Sequence, residues 1–286
     1  MIELKGLPLA CDERSSIIDQ VSDLKKNGIE PRLDIVLIGN DPGSVWYARS
    51  KESLGRKLGI KVMTHAFAYN ATTQEIIEFI DQCNENNDIH GILIELPLPE
   101  HIRKFILFEW ILPEKDVDGV CSVNRGRILS GNEESALLPA TACACLNLIK
   151  QVCPDLKGKN VTLVGRGDTV GRPLAMMLVK RDTTVTICHT KTRDLKSACL
   201  NADVVISAAG KHKLIKSDMV TKKTVVIDAG ISEIKEGVYA GDVDFDRVKG
   251  KVAALTPVPG GVGVLTTTLI FKNLMKAIHL QKKFSE

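Results

Sequence analysis

The feature that most constrains this fold is a regular alternation of short apolar runs with longer segments of helical periodicity. Apolar runs bounded by glycine, proline or asparagine predict buried strands, and apolar residues three and four apart predict helices between them. In the first half of the chain the predicted strands are 33–39, 61–65 and 91–95, and the predicted helices are 12–26, 44–58 and 73–84. This β-α-β order predicts a parallel sheet covered by helices.

The same alternation starts again after residue 160 and predicts a second parallel sheet. Its predicted strands are 161–165, 184–188, 203–207 and 224–230, with helices at 171–180, 193–201 and 216–221. A helix at 142–152 is expected to join the two halves. The fold class is therefore α/β, with two domains built on parallel-rich sheets and an active-site cleft between them.

The length of 286 residues exceeds the roughly 100–200 residues of a usual single domain. We place the boundary near residue 140, with a first domain of residues 1–140 and a second of residues 141–264. Leucines and isoleucines at helical spacing predict a closing helix from residue 265 to about residue 280. The segment 265–286 is expected to return to the first domain.

Composition argues against several classes of protein. The 38 basic and 35 acidic residues give a net charge of +3, which implies no nucleic-acid partner. Eight cysteines without a CxxC pair and six dispersed histidines make a metal site unexpected. The start of the chain lacks an apolar signal core and no apolar run is long enough to span a bilayer, so we expect a cytoplasmic protein without a membrane partner.

A glycine-rich turn follows the first predicted strand of the second half. Gly165, Gly167 and Gly171 lie between that strand and a predicted helix, where a dinucleotide fingerprint belongs. The spacing is GxGxxxG rather than GxGxxG, and the alternative is a simple strand-to-helix turn. Because β-α-β units surround the turn, we interpret it as a pyrophosphate-binding loop and the second domain as Rossmann-like.

The residues after the next predicted strand bear on the choice of cofactor. Cys188-His189-Thr190-Lys191-Thr192 lies about 20 residues beyond the glycines and contains no carboxylate. Hydroxyl and basic groups suit a ribose 2′-phosphate, which a carboxylate would repel. The sequence therefore favours NADP, and it leaves NAD open.

Candidate catalytic residues lie in the first half. Tyr47 and Lys51 are four residues apart on a predicted helix for which Ser44 is the candidate N-cap, so both project from one face. The alternative is an amphipathic surface pair. Glu95 ends a buried strand, at the carboxyl edge where open α/β sheets bind ligands.

Two further segments are candidates for ligand contact. Asp116 and Asp118 lie in a predicted loop, for which a solvated turn is the alternative. The segment 257–263 is too glycine-rich for a core element and suits close backbone approach to a flat ligand.

These motifs, in this order, closely resemble the methylenetetrahydrofolate dehydrogenase/cyclohydrolase family over nearly the whole chain. The resemblance rests on Ser44-x-x-Tyr47-x-x-x-Lys51, Gly91-Ile-Leu-x-x-Leu-Pro-Leu-Pro99, Lys115-Asp-Val-Asp-Gly119 with Asn124 and Gly126, Gly165-Arg166 with Val170-Gly171-x-Pro173, Cys188-His189, Asp218-Met-Val220, Val226-Ile-Asp-x-Gly-Ile231, Gly241-Asp-Val243 and Thr256-Pro-Val-Pro-Gly-Gly-Val-Gly263. It implies NADP-linked oxidation of 5,10-methylenetetrahydrofolate to the 5,10-methenyl form, followed by hydrolysis to 10-formyltetrahydrofolate. It also implies a homodimer formed through the nucleotide domains.

The resemblance implies a role for each matching residue. Lys51 is the central catalytic group, Tyr47 stacks on or orients the folate, and Asp118 bonds the pterin ring. The residues implied to line the folate side are Pro259, Gly260 and Thr266. Those implied to contact the dinucleotide are Gly165, Arg166, Gly167, Gly171, Thr190 and Ile231, with Arg166 and Thr190 near the 2′-phosphate.

This chain departs from the family pattern at several positions. The family has glutamine where this chain has Glu95, a partner of the catalytic lysine by likeness. A carboxylate favours the ammonium form of lysine, which opposes any role that needs the free amine. The alternative hypothesis is therefore a dehydrogenase with weakened or lost cyclohydrolase activity, unless Glu95 itself is the base. The remaining departures are Pro139-Ala-Thr-Ala142 for Pro-Cys-Thr-Pro, Gly167 for serine, and Val264-Leu265 for Pro-Met.

Two other classes of protein are alternatives to this family assignment. Short-chain dehydrogenases also use Tyr-xxx-Lys, but they place it after the nucleotide fold, whereas here it comes before. A regulator that binds folate or dinucleotide without catalysis predicts broken catalytic positions, and Lys51 and Asp118 are both present.

Overall fold

The computed structural model describes residues 1–235 and 237–285, the last three of these by their backbone alone. The helices are α1 (Gly6–Lys26), α2 (Pro42–Leu58), α3 (Thr73–Glu85), α4 (Lys104–Trp110), α5 (Ser122–Leu129), α6 (Ala140–Lys150), α7 (Gly171–Val179), α8 (Leu195–Leu200), α9 (Phe245–Val248) and α10 (Val262–Ser285). The strands are β1 (Ile2–Glu3), β2 (Arg32–Ile38), β3 (Lys61–Phe67), β4 (Gly91–Ile94), β5 (Asn160–Val164), β6 (Thr184–Cys188), β7 (Val204–Ser207), β8 (Val225–Asp228), β9 (Ser232–Lys235), β10 (Val238–Ala240) and β11 (Ala254–Leu255). Within the described part of the chain, no helix combines the length and apolarity needed to cross a membrane.

The chain divides into two compact units. The six-strand unit contains Met1–Cys11 and Thr141–Thr266, and the three-strand unit contains Asp12–Ala140 and Thr267–Glu286. The sequence pattern assigns residues 1–11 to the first domain, whereas the structure groups them with the second. The reason is long-range pairing, because β1 lies parallel to β11 with Ile2 opposite Ala254.

The three-strand unit is a parallel sheet in the order β3-β2-β4. The central strand β2 is buried from Leu33 to Ile38. Helix α3 begins with a capping box between Thr72 and Glu75 and buries its apolar face in the core. That core includes Val36, Ile76, Ile80, Ile92, Leu107 and Phe108. Because the strands are parallel, their carboxyl ends meet at one edge of the sheet.

The six-strand unit is a parallel sheet in the order β1-β11-β8-β7-β5-β6. The chain passes from β5 to β6 on one side and then to β7 on the other, so strand order reverses at β5. Ligands of open α/β sheets bind outside the carboxyl ends of the strands at such a switch point. A separate antiparallel pair, β9 and β10, follows β8.

One predicted element is wrong. The segment 216–221 is predicted as a helix, but it forms a turn in which the amide of Met219 donates to the carbonyl of Lys216. The short elements β1, α4, α5, β9, β10, α9 and β11 are absent from the sequence-based prediction. They have too few residues for a clear periodicity, and α5 depends on tertiary contacts of Asn124.

Candidate active site

The first turn of α2 follows directly from the carboxyl end of β2. Asp41 is the N-cap, and its carboxylate accepts a hydrogen bond from the amide of Ser44 at 2.8 Å. The prediction that Ser44 is the N-cap is therefore wrong, since Pro42 begins the helix two residues earlier. The Ser44 hydroxyl instead lies 3.1 Å from the carbonyl oxygen of Leu96, which joins α2 to the segment after β4.

A buried ion pair lies where α2 meets the end of β4. The ammonium of Lys51 donates to Oε1 of Glu95 at 2.5 Å, and each residue is only 7% exposed. The amide of Glu95 donates to the carbonyl of Val36, which holds it in line with the sheet. The structure thus brings together two predicted catalytic residues that are 44 positions apart.

Tyr47 lies beside this ion pair. The Lys51 ammonium is 5.5 Å from the centroid of the Tyr47 ring, within the range of a cation–π contact. The Tyr47 ring also makes an edge contact with Trp46, at a centroid distance of 5.1 Å. Tyr47 and Lys51 therefore project from one face of α2, as the spacing predicts, and the pair is not a solvated surface pair.

Asp118 is half-buried and interacts electrostatically with Lys51 and Glu95. Burial and the neighbouring carboxylates of Asp116 and Glu95 raise its pKa to about 7, while Lys51 and a hydrogen bond from the amide of Ala140 oppose the rise. Such a group exchanges protons near neutral pH. The three-strand unit thus gathers an ammonium, a phenol and two carboxylates at one edge of its sheet.

The loop that carries Asp118 is not a solvated turn. Asp116 is fully buried and accepts hydrogen bonds from the amides of Val120 and Cys121 and from the side chain of Asn124. The ammonium of Lys115 donates to three carbonyl oxygens at the end of α3. These structural roles were missed from the sequence, because nothing local separates an acidic residue that organises a loop from one that binds a ligand.

The glycine-rich loop of the six-strand unit lies between β5 and α7. A Cβ at Gly165 would lie 2.2 Å from the carbonyl oxygen of Ala208, and one at Gly171 would lie 2.5 Å from the carbonyl oxygen of Gly165. Gly165 also has a φ of 115°, which L side chains rarely adopt. Gly167 has open space around it. The loop is therefore tightly packed at two glycines and exposes its backbone at the third.

Polar and apolar groups that could contact a ligand lie at the same edge of the sheet as this loop. Arg166 and Thr190 are both exposed, at the carboxyl ends of the neighbouring strands β5 and β6. Ile231 follows β8 and is 46% exposed. All three predicted positions thus lie at the carboxyl edge of one sheet.

Two buried carboxylates shape the next loops along this edge. Asp242 accepts hydrogen bonds from the hydroxyl of Ser207 and from the amides of Ala209 and Lys211, at 2.7 to 2.8 Å. Asp228 accepts from the amides of Gly230, Asp242 and Val243. Burial raises the pKa of Asp228 to about 6. The sequence motifs contain both residues, but their role in holding loops was not foreseen.

The remaining predicted residues follow β11. The carbonyl of Gly260 accepts from the amide of Gly6, and the Val258–Pro259 peptide is cis. Thr266 lies on the first turns of α10, where its hydroxyl donates to the carbonyl of Val262. Pro259, Gly260 and Thr266 therefore belong to the six-strand unit, while Tyr47, Lys51, Glu95 and Asp118 belong to the three-strand unit. Among the described residues, no cluster of histidine, cysteine or acidic side chains could hold a metal ion.

Comparison with known protein families gives two matches. Residues 4–118 match the model of the tetrahydrofolate dehydrogenase/cyclohydrolase catalytic domain, and residues 139–282 match that of the NAD(P)-binding domain of the same enzymes. Among curated proteins, bifunctional protein FolD 2 of Desulfitobacterium hafniense is 46% identical over 280 residues, which are 98% of each chain.

Solved structures of the same enzymes are also similar to this chain. The bifunctional FolD enzyme of Campylobacter jejuni superposes with a TM-score of 0.94 at 38% identity, covering 99% of both chains. The Trypanosoma brucei methylenetetrahydrofolate dehydrogenase-cyclohydrolase, complexed with NADP and an inhibitor, gives a TM-score of 0.93 at 30% identity. That match covers 100% of this chain and 99% of the other.

Proposed function

Since this chain belongs to the tetrahydrofolate dehydrogenase/cyclohydrolase family, we propose that it oxidises 5,10-methylenetetrahydrofolate with NADP and then hydrolyses the methenyl product to 10-formyltetrahydrofolate. The observation that carries the proposal is the group of Tyr47, Lys51, Glu95 and Asp118 at one sheet edge. The three-strand unit is the catalytic domain and the six-strand unit is the dinucleotide-binding domain.

The side chains of the three-strand unit suit a reduced folate. Tyr47 offers a flat ring face for stacking, and the ammonium of Lys51 can donate to the substrate while it remains bonded to Glu95. Asp118, with a pKa of about 7, can donate or accept hydrogen bonds with the polar edge of a pterin. We assign Pro259, Gly260 and Thr266 as further folate contacts on the evidence of the family motif.

The six-strand unit fits NADP. The exposed backbone at Gly167 permits close approach of a pyrophosphate, and the adjacent N-terminus of α7 favours an anion. Arg166 and Thr190 are exposed and suited to a 2′-phosphate, while Ile231 offers apolar surface to a flat ring. NADP, when bound, supplies the hydride acceptor. Gly165 and Gly171 keep the loop in the conformation that exposes its amides.

The test is absorbance-monitored turnover of 5,10-methylenetetrahydrofolate with NADP and, separately, with NAD. A second assay follows the decay of added methenyltetrahydrofolate above its uncatalysed rate. Reduction of NADP with enzyme-dependent decay is the expected result. No reduction of either dinucleotide would overturn the proposal.

One contact favours a second candidate, a dehydrogenase with little hydrolase activity. In a nearly closed site, Lys51 donates a hydrogen bond at 2.5 Å to the Glu95 carboxylate, and so forms an ion pair as an ammonium. An ammonium can donate a hydrogen bond but cannot take a proton from attacking water. Reduction of NADP without enzyme-dependent decay of methenyltetrahydrofolate would establish this candidate.

We further infer a cytoplasmic homodimer, assembled through the six-strand units as the family likeness implies. Light scattering of the purified protein is expected to give twice the mass of the chain. A concentration-independent mass of one chain would contradict the dimer.

A further inference from the structure

Asn273 lies on the part of α10 that belongs to the three-strand unit. Its side-chain Nδ2 donates to two backbone carbonyl oxygens, those of Val117 and Leu138, each at 2.7 Å. An asparagine amide has two N–H donors, so both are used here. The two acceptors lie in different segments without regular structure. Asn273 therefore ties two separate backbone segments to one helix.

The two segments that Asn273 joins are the ones that hold Asp118. Val117 directly precedes Asp118 in the chain. Leu138 lies two residues before Ala140, whose amide donates to the Asp118 carboxylate. One side-chain amide thus fixes both the backbone that carries the carboxylate and the backbone that donates a hydrogen bond to it.

These two segments are packed against each other without free space. A Cβ at Gly119 would lie 2.5 Å from the carbonyl oxygen of Leu137 and 2.8 Å from the nitrogen of Pro139. In such a closely packed region a shift of one segment displaces the other. The place of the Asp118 carboxylate therefore depends on where the pair of segments is held.

Gln281, further along α10, makes bonds of the same kind at a different place. Its Nε2 donates to the carbonyls of His90 and Glu114, at 2.8 and 2.9 Å. The segment that contains Glu114 runs parallel to β4, with Asp116 opposite Ile92. Gln281 therefore bonds at the amino end of β4, whereas the segments that Asn273 joins carry the site at its carboxyl end. The two amides differ in what they hold, and this difference provides a matched control.

We propose that Asn273 is a positioning residue for Asp118, which it keeps where the pterin ring of the substrate is bound. This inference rests on the proposed function, in which Asp118 bonds the pterin. Asn273 itself contacts neither the folate nor the dinucleotide. Its loss therefore weakens folate binding and leaves NADP binding unchanged.

The kinetic test compares Asn273→Leu with Gln281→Leu, which each remove two hydrogen bonds from α10 to backbone carbonyls. Asn273→Leu is expected to raise the KM for 5,10-methylenetetrahydrofolate about three- to tenfold and to keep the KM for NADP within about twofold of the parent. Gln281→Leu should keep both KM values within about twofold. If Asn273→Leu does not fold, Asn273→Ser, which retains one donor, takes its place in the comparison.

A double-mutant cycle gives an independent readout that a merely structural role would not produce. Calorimetric titration with 5-formyltetrahydrofolate measures the Kd of Asn273→Leu in the parent and in an Asp118→Asn background. The change should raise the Kd in the parent and alter it by less than about twofold in the Asp118→Asn protein, because its effect passes through that carboxylate.

Three results would overturn the positioning role alone: an equal rise of Kd in both backgrounds, an equal rise of the folate KM in Asn273→Leu and Gln281→Leu, or unchanged constants for Asn273→Leu. Each of these results requires that the unaltered enzyme binds and turns over folate. Absence of both turnover and folate binding in the unaltered enzyme would overturn the proposed function together with this inference.

Discussion

The ammonium of Lys51 and the carboxylate of Glu95 form an ion pair at 2.5 Å in a site that is almost closed to solvent. Removal of one partner from such a pair leaves an uncompensated charge, whereas a neutral amide of the same shape can keep the hydrogen bond. The Glu95 carboxylate thus compensates the charge of the Lys51 ammonium in this buried position.

Replacement of Glu95 by glutamine is therefore expected to increase methenyltetrahydrofolate hydrolysis, by about tenfold or more, because the lysine can then act as a free amine. Dehydrogenase activity should remain. The decay of methenyltetrahydrofolate absorbance measures the effect, and exposed Glu100→Gln is the control. A decrease would identify Glu95 as the base, and an unchanged rate would separate this ion pair from hydrolysis.

Asp118 should make stability depend on pH. Its pKa rises from 3.8 to about 7 on folding, so the folded state binds a proton more tightly than the unfolded chain does. Its stabilising contribution is complete below about pH 4 and is lost as the pH rises to about 7.

Asp118→Asn is accordingly expected to remove this part of the pH dependence. Urea unfolding of the variant and the parent at pH 5 and pH 8 measures it, and the contribution of Asp228 cancels because both proteins contain it. Exposed Asp88→Asn is the control. If the free energy of unfolding fell equally from pH 5 to pH 8 in the parent and in Asp118→Asn, the prediction would be contradicted.

Two glycines of the dinucleotide loop should respond in opposite ways. Gly165→Ala forces a Cβ against the carbonyl of Ala208, at a φ that disfavours any side chain, so it should abolish NADP binding or destabilise the six-strand unit. Gly167→Ser has open space and adds a hydroxyl where the family has serine, so it should fold normally and lower the Kd for NADP. Calorimetric titration with NADP measures the Kd of both variants. A higher Kd for Gly167→Ser than for the parent would contradict the prediction that this position faces the dinucleotide.

Asp242 should position the loops around the dinucleotide. Asp242→Asn places an amide group among three donors, from Ser207, Ala209 and Lys211, and is expected to cost about 2–4 kcal/mol of unfolding free energy. It should raise the KM for NADP more than the KM for folate. Urea unfolding and the two KM values measure this, with exposed Asp246→Asn as the control. Equal changes in both KM values would indicate a purely structural role.

Most of the architecture could be predicted from the sequence. The β-α-β alternation predicted two parallel sheets, and the motifs predicted the family and which strand ends and loops hold the candidate residues. It could not assign residues 1–11, because β1 gains its place by pairing with a strand about 250 positions away. It missed the roles of Asp116, Asp228 and Asp242, because an acidic residue that accepts amide hydrogen bonds looks the same in sequence as one that binds a ligand.

What the sequence by itself determined was local: which segments are strands or helices, and which residue types stand at their ends. Only the tertiary structure decided that the Lys51–Glu95 pair is almost closed to solvent, that Trp46 stays exposed beside Tyr47, and that burial raises the pKa of Asp118 to about 7. The reason is that periodicity is a property of neighbouring residues, whereas burial and the distance between charges depend on how segments far apart in the chain pack together.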